Sequence, residues 1–254
     1  MLKKENAAKN AKAHTEDVAI RYKQAIKNAI DNSVIIRGKH NVESFYNKEN
    51  SNKPKIFVAN TDTVSALTNK DFKNNTITIL NFASYKNPGG GYIRGSVAQE
   101  ECLCAESFLY NVLSDKKFAD YYNYNKAHPN NGLYSNAAIY TPGVIFEHGR
   151  IKKSANVITC AAPNKNAAIK NGISINDNST ILRNRIEFIK CITEQYPTDI
   201  LILGAYGCGV FGQNPVEVAS IFSEVFKMAK NKMIIYAIPG GNPLEVFRNV
   251  FYTL

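Results

Sequence analysis

The sequence has few residues from which a disulfide framework or a metal centre could be built. It contains 5 cysteines and 4 histidines. The cysteines are odd in number and widely scattered, and three lie in apolar stretches, which indicates reduced, buried thiols of an intracellular protein. The histidines stand singly, and Cys102 and Cys104 have no second pair at metal-ligand spacing. We therefore expect no disulfide, no metal and no other cofactor.

Long hydrophobic runs are also absent. No stretch approaches the roughly 18 uncharged apolar residues of a membrane span. Residues 1–6 contain no apolar segment of the kind that a signal peptide has. We expect a protein of the cytoplasm, or of the nucleus in a eukaryote, without a membrane partner.

Acidic residues are fewer than basic ones. The 31 Lys and Arg against 21 Asp and Glu give a formal net charge of +10. This charge favours anionic partners, either a nucleic acid or a phosphate-bearing ligand, although it also follows from the general use of Lys and Asn in this chain. Because no stretch interleaves basic and aromatic residues, a basic nucleic-acid-binding protein is the less favoured alternative, and we expect that nucleic acid is not required.

Short apolar stretches alternate with helical patterns along most of the chain. The stretches are rich in Ile, Val or Leu, as strands buried on both faces are. They lie at residues 55–59, 76–82, 157–161, 199–204 and 233–238. This alternation predicts an α/β fold with a largely parallel or mixed sheet that is covered on both sides.

Helices are predicted between these strands and ahead of them. The patterns cover residues 15–31, 102–112 and 181–195. A further helix opens at Asn214, which supplies an N-cap before a proline at the first helical position. Residues 165–179, rich in Lys and Asn, are predicted to form an exposed loop.

Glycine-rich stretches follow two of the predicted strands. Three glycines in a row at residues 89–91 exceed what a tight turn needs, and they suit a backbone that approaches a ligand closely with free N–H groups. Residues 207–212 fit the spacing of a dinucleotide-binding loop, but they come late in the chain and only one strand follows them. Since ligands bind at the carboxyl ends of parallel strands, we expect the two loops to hold a diphosphate between them.

Two adjacent carboxylates, Glu100 and Glu101, follow the triple glycine. On a helix, adjacent side chains point about 100° apart, so one acid is expected to do the chemistry and the other to position the substrate. Acids also suit the first turn of a helix, where the macrodipole favours negative charge. The nearby glycine loop favours the catalytic interpretation.

Taken together, these motifs resemble the signature of poly(ADP-ribose) glycohydrolases of the compact microbial type, which are built on a macrodomain. The signature runs from Asn81 and Ser84 through the three glycines to Gln99 and the two acids. The resemblance extends over most of the chain, and further similar segments lie at residues 140–144, 161–164 and 203–211.

The resemblance implies a three-layer αβα sandwich of macrodomain type with a mixed central sheet and an N-terminal helical extension. The extension would cover residues 1–52 and pack on a catalytic domain over residues 53–254, the two forming one structural unit. The implied reaction is hydrolysis of the ribose-to-ribose O-glycosidic bond of poly(ADP-ribose), releasing ADP-ribose from chain ends.

The resemblance also implies the residue roles. Glu101 would be the catalytic acid, while Glu100 and Asn81 would hydrogen-bond ribose hydroxyls near the bond that is cleaved. Phe211 would pack on the distal ribose, and Thr61 and Asp62 would lie near the adenine. The other implied substrate-binding residues are Ser84, Gly89, Gly90, Gly91, Gln99, Gly207, Cys208, Gly209 and Val210.

Two related functions stay open at this point. One is a hydrolase that releases single ADP-ribose groups from proteins or a nucleic acid, and the other is a non-catalytic macrodomain that only binds ADP-ribose. The paired carboxylates argue against the second, because binding an anionic ligand has no obvious use for them. We expect a monomer whose partners are poly(ADP-ribose) or ADP-ribosylated proteins.

Overall fold

The structure is a computed structural model that describes residues 2–38 and 53–252. Within these ranges the chain forms ten helices and seven strands. The helices are α1 (Leu2–Arg21), α2 (Lys23–Asn32), α3 (Thr63–Leu67), α4 (Gln99–Ala105), α5 (Leu109–Leu113), α6 (Ala119–Ala127), α7 (Lys165–Lys170), α8 (Ile175–Gln195), α9 (Pro215–Phe226) and α10 (Gly241–Tyr252). The strands are β1 (Val34–Arg37), β2 (Lys55–Ala59), β3 (Ile77–Phe82), β4 (Ala137–His148), β5 (Ile151–Cys160), β6 (Ile200–Leu203) and β7 (Met233–Ala237).

All seven strands form one mixed sheet in the order β1-β4-β5-β3-β6-β7-β2. The neighbours from β5 to β2 pair in parallel, whereas β4 pairs antiparallel with both β1 and β5. Strand β3 lies in the middle, between β5 and β6. The carboxyl ends of β3 and β6 therefore meet at one edge of the sheet, where a parallel α/β sheet binds its ligands.

Helices cover both faces of the sheet. Alternate residues of a strand point to opposite faces, so Ile79 packs into one hydrophobic core and Leu80 into the other. The first core includes buried side chains of helices α1 to α6, and the second those of α8, α9 and α10. The predicted three-layer αβα architecture with a mixed sheet is confirmed.

The first part of the chain contributes strand β1 to the central sheet. After helices α1 and α2, β1 pairs antiparallel with β4, with Val34 opposite Tyr140. Residues 39–52, which include the predicted boundary at residue 52, lie outside the described residues, so the division into 1–52 and 53–254 stays a prediction.

Several predicted element boundaries are wrong. The helix predicted over residues 15–31 is two helices, of which α1 already begins at Leu2. The helix predicted over residues 102–112 is interrupted at Ser107, whose hydroxyl accepts a hydrogen bond from the backbone of Leu109. The exposed loop predicted at residues 165–179 contains α7 and the start of α8, because Asn164 and Ser174 cap these helices with their side chains.

None of the helices in the described ranges is long and apolar enough to cross a membrane.

Candidate active site

Most of the sequence-predicted residues line a cleft at the carboxyl ends of β3 and β6. The cleft has a volume of about 470 Å³ and is bounded by Glu100 and Glu101 on one side and by the loop after β6 on the other. A second cavity of about 410 Å³ adjoins it and includes Asp62 and Cys208. The two cavities share Phe82, Ala98, Gln99, Ala205 and Gly209.

Glu100 is held inside the protein by the end of β3. One carboxylate oxygen accepts a hydrogen bond from the Ser84 backbone N–H at 2.7 Å, and the other accepts from Asn81 Nδ2 at 3.3 Å. Only 3% of Glu100 is exposed. Burial raises its pKa to about 8, although the hydrogen bonds from Ser84 and Asn81 act in the opposite direction. At neutral pH this side chain is therefore mostly protonated.

Glu101 lies beside Glu100 and faces the cleft. Its Oε1 accepts a hydrogen bond from the backbone N–H of Gly91 at 2.7 Å, and 9% of the residue is exposed. The helix α4 that carries both acids begins at Gln99, so the two carboxylates lie in its first turn as predicted. Both acids line the cleft, and Glu101 is the more exposed of the two.

The three glycines bring the chain close to these two acids. Gly89 and Gly90 have φ angles of +60°, a conformation that favours glycine. A Cβ at Gly90 would lie 2.5 Å from Glu101 Oε1 and 3.0 Å from Glu100 Oε2. The N–H of Gly90 donates to the carbonyl of Asn87, and that of Gly91 to Glu101. The expectation of free N–H groups at Gly90 and Gly91 is therefore not met, since both are used within the protein.

The loop after β6 is built differently. Gly207 has a φ of +75°, and a Cβ there would contact Gln213 and Ala162. Within the described residues, the N–H groups of Gly207, Gly209 and Val210 donate to no acceptor. A Cβ at Gly209 would meet no atom within 4 Å. Backbone N–H groups without an acceptor in a glycine-rich turn can form an anion-binding concavity.

Three of the predicted site residues use their side chains mainly to shape the cleft. The Gln99 amide accepts from the Phe82 N–H and donates to the Leu80 carbonyl, each at 2.8 Å, which ties α4 to the end of β3. The Ser84 hydroxyl accepts from backbone N–H groups of its own turn. Asp62 accepts from the backbone of residues 64 and 65 and so caps α3. Direct contacts of these side chains with a ligand stay a prediction.

Three of the remaining predicted residues divide between the two cavities. Phe211 lines the cleft, as does Val210, which is 85% exposed. Cys208 lines the second cavity. Thr61 belongs to neither set of lining residues, and its neighbour Asp62 reaches the second cavity.

The sequence did not reveal an aromatic wall of the cleft. Tyr85 and Tyr134 stack with ring centroids 4.0 Å apart, and Phe211 meets Tyr134 edge-on at 6.2 Å. Tyr134 has a φ of +59°, which is strained for a bulky side chain and is found mainly at functional sites. The sequence signal nearest to it is the turn pair Asn131 and Gly132, which marks a turn and does not show that the next aromatic residue enters the cleft.

Across the described ranges, no group of three or more His, Cys, Asp or Glu side chains could hold a metal ion. The arrangement instead offers carboxyl groups for proton transfer at one end of the cleft and open N–H groups for an anion at the other. A protonated Glu100 adds a neutral donor beside Glu101. These are the parts of a site that cleaves a glycosidic bond in a phosphate-bearing substrate.

Comparison with known proteins gives three findings. A family model described as "Microbial-type PARG, catalytic domain" matches residues 3–148. The fold resembles that of poly(ADP-ribose) glycohydrolase (PARG) from Thermomonospora curvata, with a TM-score of 0.86 at 23% identity over 97% of this chain and 100% of that chain. PARG from Deinococcus radiodurans in complex with ADP-ribose matches with a TM-score of 0.79 at 26% identity over 90% of this chain and 97% of that chain.

A search of curated protein sequences found no match. The family model nevertheless covers more than half of the chain, including the glycine loop, both acids and strand β3. The chain belongs to the family of microbial-type PARG catalytic domains.

Proposed function

We propose that this protein hydrolyses the ribose-to-ribose O-glycosidic bonds of poly(ADP-ribose) and releases ADP-ribose. The observation that carries the proposal is the position of Glu101. Its carboxylate is fixed by the Gly91 N–H at one end of a cleft whose other end presents open backbone N–H groups. This arrangement suits a ligand with a diphosphate at one end and a ribose at the other.

Glu101 supplies the proton transfers of this reaction. Cleavage of a ribosyl acetal passes through an oxocarbenium-like transition state, so the leaving hydroxyl must gain a proton and the attacking water must lose one. One carboxyl group can perform both steps in turn. The hydrogen bond from Gly91 holds one oxygen of Glu101 and leaves the other for the reaction.

Glu100 and Asn81 position the ribose beside Glu101. Because burial raises the pKa of Glu100 to about 8, this acid is mostly uncharged at neutral pH and does not repel an anionic substrate. Its carboxyl group can donate to a ribose hydroxyl. The amide oxygen of Asn81 is buried without a hydrogen-bond partner among the described residues, which leaves it available as an acceptor.

The rest of ADP-ribose follows the cleft away from Glu101. The diphosphate binds the N–H groups of the loop after β6, and Phe211 packs on the distal ribose. The adenine lies in the second cavity, which Asp62 borders. The structure of Deinococcus radiodurans PARG with ADP-ribose supports the choice of ligand.

The test is incubation of the purified protein with poly(ADP-ribose) in the absence of metal ions, with chromatography of the products. We expect release of ADP-ribose by the wild-type protein. Glu101→Gln removes the proton donor but keeps the shape of the side chain, so it should abolish turnover while ADP-ribose still binds in calorimetry. Loss of binding in this variant would contradict the catalytic role.

The same assay separates the remaining alternatives. An enzyme that works from chain ends releases ADP-ribose alone at early times, whereas internal cleavage also releases oligomers. Release from a singly ADP-ribosylated protein, with no action on the polymer, would indicate a mono-ADP-ribosyl hydrolase. Tight ADP-ribose binding without any hydrolysis would indicate a macrodomain that only binds.

A further inference from the structure

A third cavity lies against the catalytic acid, on the side of helix α1. It has a volume of about 260 Å³ and lies between α1, the loop of residues 92–97 and the start of α4. Its polar lining residues include Asn10, His14 and Ser96. Glu101 lines both this cavity and the substrate cleft. We call this space the α1 cavity.

Helix α1 is held firmly at this position. A Cβ at Gly95 would collide with the backbone carbonyl of Lys4, so the turn and the helix are in direct contact. The hydroxyl of Tyr92 donates to the Ala11 carbonyl at 3.2 Å and lies 2.9 Å from His14 Nδ1. His14 is thus held through Nδ1, and its other ring nitrogen, Nε2, donates or accepts according to the tautomer.

The reaction requires binding space for two sugars next to the acid. Glu101 must reach the oxygen that joins them, and the released ADP-ribose unit and the rest of the polymer extend from that oxygen in different directions. The released unit occupies the cleft. The α1 cavity is a second space that Glu101 lines, next to the cleft.

We infer that the α1 cavity binds the ribose that carries the leaving hydroxyl, an inference that rests on the proposed function. Its volume is below the roughly 300 to 1,000 Å³ of pockets that enclose a whole drug-sized ligand, and it suits one sugar ring. Asn10, Ser96 and His14 supply groups that can donate to or accept from sugar hydroxyls. Helix α1 would thus contribute to catalysis by orienting the leaving group.

The test fills the cavity without touching the cleft. Asn10 is exposed on α1 and lines the cavity, so Asn10→Trp places a large side chain there. Lys12→Trp is the matched control, because Lys12 is exposed on the same helix and does not line the cavity. For each variant, kcat/KM on poly(ADP-ribose) and the Kd for ADP-ribose are measured, since ADP-ribose alone occupies the cleft and the adjoining second cavity but not the α1 cavity.

We expect Asn10→Trp to lower kcat/KM by about tenfold to a hundredfold through loss of leaving-group orientation. Its Kd for ADP-ribose should stay at the wild-type value, and Lys12→Trp should change neither quantity. Turnover of the polymer by Asn10→Trp at the wild-type rate would overturn the leaving-group site while the proposed function stands. A wild-type protein without turnover would overturn both.

A smaller substitution keeps the test decisive if the tryptophan disturbs folding. Asn10→Ala removes only the amide, and loss of one hydrogen bond is expected to lower kcat/KM by about threefold to tenfold with an unchanged Kd. If Asn10→Trp loses ADP-ribose binding as well, a wild-type rate in Asn10→Ala overturns the inference.

Discussion

The two glycine-rich loops of the cleft have similar compositions but use their backbones in opposite ways. In the first loop, residues 88–95, the N–H groups of Gly90 and Gly91 donate to acceptors within the protein, and a Cβ at Gly90 would strike both acids. In the second loop, residues 204–212, the N–H groups of Gly207 and Gly209 have no acceptor among the described residues. A glycine cluster can therefore serve the protein's own carboxylates or a ligand.

This difference assigns the first loop to the chemical step and the second loop to ligand binding. The first loop fixes Glu101 and packs against Glu100, so changes in it should act on the chemical step. The second loop presents N–H groups to an anion, so changes in it should act on affinity. Glycine substitutions in the two loops separate these effects, because the added methyl group meets different neighbours.

The largest effect is expected from Gly90→Ala. Its φ of +60° disfavours alanine, and the new Cβ would displace Glu101 Oε1 from its present position. A misplacement of about 1 Å can lower a rate a hundredfold, so kcat should fall by about that factor. The Kd for ADP-ribose should change less than kcat. An unchanged kcat in the folded variant would show that the first loop does not fix the acid.

Glu100 is expected to make the free energy of unfolding depend on pH. Its pKa is raised from 4.5 to about 8 in the folded protein, so the folded state binds the proton more tightly than the unfolded chain does. The stability that this group contributes is then full below about pH 4.5 and is lost as the pH rises towards about 8. The Glu100→Gln variant lacks this pH-dependent contribution, because the glutamine amide does not titrate.

Urea unfolding at pH 5 and pH 8 measures this effect. The free energy of unfolding of the wild-type protein minus that of Glu100→Gln should fall from pH 5 to pH 8, because all other titrating groups are shared. A difference that stays constant, or rises, would mean that Glu100 is ionised in the folded protein across this range.

In the second loop, Gly207→Ala is expected to have an intermediate effect, which is on the free energy of unfolding. Gly207→Ala places a Cβ 2.9 Å from Gln213 and 3.0 Å from Ala162, at a φ of +75°. The free energy of unfolding should fall by about 1 to 3 kcal/mol. Gly209→Ala serves as the control, since it meets no neighbour and should leave the free energy of unfolding nearly unchanged.

The smallest effect is expected for the binding of ADP-ribose by Gly209→Ala. The methyl group of Gly209→Ala enters the cleft next to the open N–H groups, so it should weaken ADP-ribose binding by about tenfold, a cost close to that of one lost hydrogen bond. Calorimetry measures the Kd, and kcat on poly(ADP-ribose) at saturation should be retained. Equal losses of kcat in Gly90→Ala and Gly209→Ala would remove the distinction between the loops.

The sequence was informative where a residue type and its spacing carry the chemistry. The strands β2, β3, β6 and β7 and the end of β5 were predicted because each is a short apolar stretch. Strands β3, β6 and β7 are buried at most positions, whereas β2 at the edge of the sheet is buried only at Val58. The meeting of Asn81, Glu100 and Glu101 was predicted from the motif. Strand β4 was missed, since Pro142 and Gly143 interrupt it at the register shift between Thr141 and Val144, and proline argues against a strand inside a sheet.

Other features depend on contacts that spacing does not reveal. That Gly90 lies against the acids follows from how α4 packs on β3, through the Gln99 amide. The entry of Tyr134 into the cleft depends on its φ of +59° and on Arg185, whose buried guanidinium donates to the Leu133 carbonyl. The raised pKa of Glu100 depends on burial, which sequence neighbours do not determine.

The most direct test of the division between the loops is a crystal structure of the protein with ADP-ribose bound, in which the distances from backbone nitrogens to the diphosphate oxygens are measured. We expect the diphosphate oxygens within hydrogen-bond distance of Gly207, Gly209 or Val210, while Gly91 still donates to Glu101. A diphosphate bound instead by the Gly90 and Gly91 N–H groups, with Glu101 released, would contradict it.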